Sequence, residues 1–207
     1  MKNIGELSAD GYGFAIISTD VLTQYLSDKK VKAKKLISYL DKNKPIFYQM
    51  IKDGKMAPFY RISAFEYAIF TTLNEDNSPL PAGYKEIFRY PGFYLEVGDL
   101  GRICFASFDY LEYQLADIKA NITDKMDEIP SGAAGTLEKY YPAIGMDLPR
   151  GTYLFDLVGL KREQELERES KNYAYQLCFR EVANAHNDNF EKCDNDKYSF
   201  DIDGYEE

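Results

Sequence analysis

Tyr173, Tyr175, Leu177 and Phe179 occupy every second position of one uninterrupted run, and Phe93, Leu95 and Val97 repeat the pattern earlier in the chain. A period of two places large apolar side chains on one side of an extended strand, so each run must cover a core with one face of a sheet. Short turns choose the neighbours. Pro91-Gly92 and Gly98-Asp99-Leu100-Gly101 separate Tyr84 to Tyr90, Gly92 to Val97 and Arg102 to Phe108, which predicts an antiparallel meander of three strands. Thr152 to Val158 and Asn172 to Val182 read as two more strands, joined through the densely charged stretch Lys161 to Ser170.

Helical signals are strongest near the start. Gly11 to Ile17 reads as a strand, and Ser18-Thr19-Asp20 offers caps for a helix beginning at about Thr19. Ala33, Leu36, Ile37 and Leu40 have the spacing of an amphipathic stripe, and Asn43-Lys44-Pro45 restarts a helix that runs through Ile51 and closes at Gly54. Pro58 to Leu73 is ambiguous between strand and helix. The capping-box spacing of Ser63 and Glu66 tips it towards helix. Asp109 is predicted to cap a helix over Tyr110 to Ile122, with Leu111, Leu115, Ile118 and Ile122 as its buried stripe. The expected fold is α+β: an antiparallel sheet of about five or six strands with helices mainly from the N-terminal third. Residues 1–182 are expected to form a single domain with a possible seam at 74–83, and 183–207 an acidic, loosely ordered tail.

Charge and composition exclude several function classes. The 207 residues carry 25 basic and 34 acidic side chains, a net charge of −9. Nucleic-acid binding needs a cationic footprint, so it is not expected. No apolar run reaches the length of a membrane span, and the first residues lack the apolar stretch of a secretion signal, which predicts a cytoplasmic protein with no membrane association. Cys104, Cys178 and Cys193 are too few and too widely spaced for a disulfide framework or a zinc site, and the single histidine, His186, has no ligand-like neighbours. Gly11-Tyr12-Gly13 begins like a dinucleotide fingerprint, but Ile16 stands where the third glycine belongs. Ser131 to Gly135 is glycine-rich without the Lys-Ser or Lys-Thr of a phosphate loop. Neither a cofactor nor a metal is expected. The charge is also uneven: Asp28 to Met56 holds nine lysines and three aspartates, whereas Ala183 to Glu207 holds eight acids and two lysines.

Tyrosine is the informative residue, with 18 copies and no tryptophan. On the helix after Asp109, the side opposite the apolar stripe carries Asp109, Tyr113, Ala116, Asp117 and Ala120. Small residues let a partner approach, a tyrosine fills a pocket, and the acids meet Lys or Arg. Tyr140 and Tyr141, just before Pro142, have no stripe to bury them and join the same candidate face. The expected partner is a basic protein domain. Two other classes compete: an enzyme using Glu96, Asp156 and tyrosines, for which a pocket gathering them is the sign, and a structural or phage-type interaction protein that self-associates through a sheet edge.

Gly92 to Ile118 (GFYLEVGDLGRICFASFDYLEYQLADI), and Arg150 to Arg162 (RGTYLFDLVGLKR) with Asn172 to Val182 (NYAYQLCFREV), resemble in general character the immunity proteins encoded beside bacterial polymorphic or contact-delivered toxins. That resemblance implies a tight stoichiometric inhibitor of one cognate toxin in the cytoplasm. It implies no catalytic residues.

Overall fold

The two alternating runs are strands of the same sheet, and a second sheet of five strands packs against it. The computed structural model describes residues 1–75, 78–131, 136–183, 193 and 198–205. In chain order the elements are β1 (Lys2–Ser8), β2 (Gly13–Ile17), α1 (Thr19–Asp28), α2 (Leu36–Lys42), α3 (Lys44–Lys52), β3 (Ala57–Tyr60), β4 (Glu66–Leu73), β5 (Tyr84–Val97), β6 (Arg102–Ser107), α4 (Phe108–Tyr113), α5 (Leu115–Lys119), β7 (Lys125–Ser131), β8 (Thr136–Asp147), β9 (Gly151–Arg162) and β10 (Tyr173–Glu181). Helix makes up 22% and strand 45%, so the class is α+β.

One sheet has the order β1-β4-β10-β9-β5 and the other β3-β2-β6-β8-β7. Every pairing is antiparallel except that of β10 with β4. The inner faces meet through aromatic rings. Phe14 of β2 lies 5.2 Å from Tyr175 of β10, and Phe59 of β3 lies 5.1 Å from Phe93 of β5. All five residues of β2 are buried, as are five of the six in β6. A strand buried on both faces needs cover on both sides, and the helices supply it on the side away from the first sheet.

This corrects the expectation of one sheet of five or six strands, since there are two sheets of five. The helices are not mainly from the N-terminal third either, because α4 and α5 lie in the second half of the chain. The segment tipped towards helix, Pro58 to Leu73, contributes β3 and β4. Their β-branched and aromatic residues pair with three other strands between them or pack into the core, and that outweighs the capping signal.

Nor do the three strands of the expected meander pair in sequence. Pro91-Gly92 is a bulge within a single long strand, where two residues of β5 oppose Asp156 of β9. Gly92 adopts φ +81° and donates its N–H to Asp156, which also receives Arg180. The Gly98–Gly101 turn then carries the chain from one sheet to the other. Asp20 at the start of α1 accepts from the Leu100 N–H, and Ser18 accepts from the Gly98 N–H.

The predicted tail behaves differently over residues 198–205. Phe200 is 2% exposed, Ile202 is buried, and Tyr198 and Tyr205 pack against the core. His186 and the glycine-rich loop at 132–135 lie outside the described residues. Among the described residues, no helix is long and apolar enough to cross a membrane.

Candidate functional site

The helix predicted over Tyr110 to Ile122 is two short helices with a break at Gln114 (φ −118°, ψ 36°). Its N-cap is Ser107, whose hydroxyl accepts from the Tyr110 N–H at 3.2 Å, so Asp109 is released from the capping role the sequence suggested. Leu111, Leu115 and Ile118 are buried as expected. Ile122 is exposed, because the helix has ended and Asn121 turns the chain at φ +59°.

Asp109, Tyr113, Ala116 and Ala120 are exposed, whereas Asp117, Tyr140 and Tyr141 are half-buried. Three of these seven share a surface. The Tyr140 hydroxyl bonds to Asp10 and Ser107 and feels the charge of Asp109, and Tyr113 lies one helical turn beyond Asp109. Asp117 is held within the fold, with the Tyr110 hydroxyl at 3.4 Å and the Lys125 Nζ at 3.9 Å. Ala116 and Ala120 lie past the break on α5. Tyr141 lines a separate groove, of about 560 Å³, with Ile4, Met126 and Ile144.

The loop between β1 and β2 completes the surface, and the sequence reading missed it. Gly11 (φ +73°) sits so close to α4 that a Cβ there would lie 2.7 Å from Asp109 Oδ1. The Phe108 N–H donates to the Asp10 carbonyl at 3.2 Å. Between these anchors Tyr12 takes φ +66° and is 81% exposed. A bulky side chain in the left-handed region costs on the order of 1 kcal/mol, and here the conformation turns the ring outward. The available signal was a tyrosine flanked by two glycines, which marks a turn and not the start of a strand.

The electrostatics point the same way. The Asp109 carboxyl is pushed above its usual value, first by burial and then by the charges of Asp10 and Glu112. Burial and Asp10 together raise the Tyr140 phenol. Glu112 itself is buried and accepts from both the N–H and the hydroxyl of Ser38. The result is a negative, tyrosine-edged surface, with Tyr12 at one end and Tyr113, 60% exposed, at the other.

Glu96 and Asp156, the carboxylates considered for acid–base chemistry, line different clefts. Glu96 pairs with Lys55 near Asp20, and Asp156 pairs with Arg180 near Arg89 and Cys178. All three cysteines are buried. Burial pushes the Cys104 thiol far above its normal value, which makes it inert as a nucleophile. Among the described residues, no group of three or more His, Cys, Asp or Glu could hold a metal ion. Comparison with protein-family models, curated proteins and solved structures found no match.

Proposed function

We propose that the chain is a cytoplasmic binding protein of the immunity type, which neutralises a basic toxin domain by docking it on the surface formed by Asp10, Tyr12, Asp109, Tyr113 and Tyr140. The observation that carries this reading is Tyr12, a large ring held outward in a strained backbone conformation beside two carboxylates. Tyrosine has only two side-chain torsions to order on binding and is among the residues that dominate binding energy. An Arg or Lys from a partner relieves the repulsion among Asp10, Asp109 and Glu112, and the net charge of −9 speeds its approach.

The partner is recovered from the source cells on immobilised protein, identified by mass and purified. Tyr12→Ala combined with Asp109→Lys is expected to leave the melting temperature unchanged, weaken binding about 30-fold in calorimetry, and abolish neutralisation at equimolar protein. A loss of less than threefold overturns the site. A partner that is not a toxin overturns the function.

A further inference from the structure

In a chain with nine more acids than bases, five lysines crowd into seven residues between α1 and α2: Lys29, Lys30, Lys32, Lys34 and Lys35. All five are exposed, and none has a carboxylate within ion-pair distance among the described residues. The loop is nevertheless firmly held at both ends. At its start, Lys30 takes φ +54° and the Val31 N–H reaches back to the Leu26 carbonyl at 2.9 Å, closing α1 while Val31 packs on the core. At its end, the buried Glu112 carboxylate grips Ser38 in the first turn of α2.

Lys29 and Lys30 complement the C-terminal end of the α1 dipole, and Lys29 lies over the Tyr25 ring at 5.5 Å. Among the described residues, Lys32 and Lys34 have no comparable partner. Lys35 lies 4.9 Å over the ring of Tyr113, which joins the lysines to the acid–tyrosine surface. Like charges presented by a held loop repel one another, and an arriving anion relieves that repulsion with little further ordering.

We propose that the Lys29–Lys35 loop docks a short carboxylate-rich segment of a protein partner, with Tyr113 at its edge. This rests on the reading of the chain as a binding protein, and it gives the partner an acidic cluster beside its basic one. A nucleic acid or an anionic membrane fits less well. Its charge extends past the loop over Asp28, Asp41 and Asp109, all exposed, whereas a short acidic segment meets only the lysines.

The test uses the full-length ¹⁵N-labelled protein titrated with octaglutamate and, in parallel, with octathymidylate and phosphatidylserine vesicles. Octaglutamate is expected to move the amide signals of residues 29–35 and Tyr113. Reversing Lys32, Lys34 and Lys35 to Glu is expected to weaken octaglutamate about tenfold, while reversing the exposed Lys2, Lys85 and Lys139 instead changes it less than threefold. Unmoved loop signals, equal losses in the two triple variants, or tighter binding of octathymidylate or vesicles overturns the proposal. If octaglutamate binds the loop while the purified partner ignores Tyr12→Ala with Asp109→Lys, the loop stands and the acid–tyrosine surface falls.

Discussion

Residues 198–205 and the β7–β8 hairpin exchange the roles their compositions suggest. The first segment, YSFDIDGY, sits in an acidic stretch and looks built for solvent, yet its apolar side chains enter the core. The hairpin carries Met126, Ile129 and Leu137 and projects them into water, with Leu137 62% exposed. What separates the two is the wall each one meets. Phe200 packs at 5.2 Å from Phe59 and 5.7 Å from Tyr90, Tyr205 at 5.3 Å from Phe88, and the Tyr175 hydroxyl donates to the Phe200 carbonyl at 2.6 Å. The acids between these rings are used as well, since Asp201 accepts from Ser63 and Asp203 from Tyr173. Among the described residues, the hairpin has β8 on one side of β7 and nothing beyond it in the sheet order. Burial therefore follows from the presence of a complementary surface, which composition alone does not reveal.

The largest effect expected from this contrast is at Phe200. Phe200→Ala removes a ring from an aromatic cluster spanning both sheets and should cost about 3 to 5 kcal/mol. For a chain of this size that lowers the melting temperature by about 10 °C, measurable by calorimetry. A drop below about 2 °C would return the segment to the status of a dispensable tail.

A smaller effect is expected at alkaline pH. Burial pushes the Tyr90 phenol up to about 12, with the neighbouring Tyr205 adding to the shift, and burial likewise raises Tyr67, Tyr173 and Tyr175. The folded chain thus holds these protons more tightly than the unfolded chain, whose tyrosines titrate near 10. Stability should be level up to about pH 10 and fall as the pH climbs from there through 12, because unfolding then releases protons. Urea unfolding followed at pH 9, 10.5 and 11.5 checks this, with tyrosinate absorbance expected to rise further across the unfolding transition at the two higher pH values. Stability that stays level to pH 11.5, or no further rise in tyrosinate absorbance on unfolding, would mean that solvent reaches these rings.

The same contrast explains what was legible in the sequence. Local signals located β10, α1 and α3: alternation for the strand, and the caps at Ser18-Thr19-Asp20 and Asn43-Lys44-Pro45 for the helices. It also placed Asp109 and Tyr113 outward on α4. Partner choice between strands was not legible. Gly98–Gly101 looks like a hairpin turn, but the strands on either side join different sheets, a distinction that depends on β9, β2 and β8, far away in the chain. The break at Gln114 has no Pro or Gly to announce it, so Ala116, Asp117 and Ala120 were assigned to a helix that ends before reaching them. Tyr12 escaped because its exposure depends on Gly11 fitting against Asp109, a contact between residues almost a hundred positions apart.

The smallest effect is expected at the hairpin, and it completes the contrast. Met126, Ile129 and Leu137 outnumber Phe200 and match the apolar content of the C-terminal segment, so a rule based on composition predicts a comparable loss when they are replaced. Removing exposed side chains forfeits little buried area, and surface substitutions away from special features usually stay within about 0.5 kcal/mol. Changing all three to Ser should therefore shift the melting temperature by no more than about 3 °C, against about 10 °C for the single ring at Phe200. Comparable losses in the two variants would mean that the hairpin is covered in solution, with its apolar side chains set against another surface, and burial would then have to be read from an assembly and not from the chain alone.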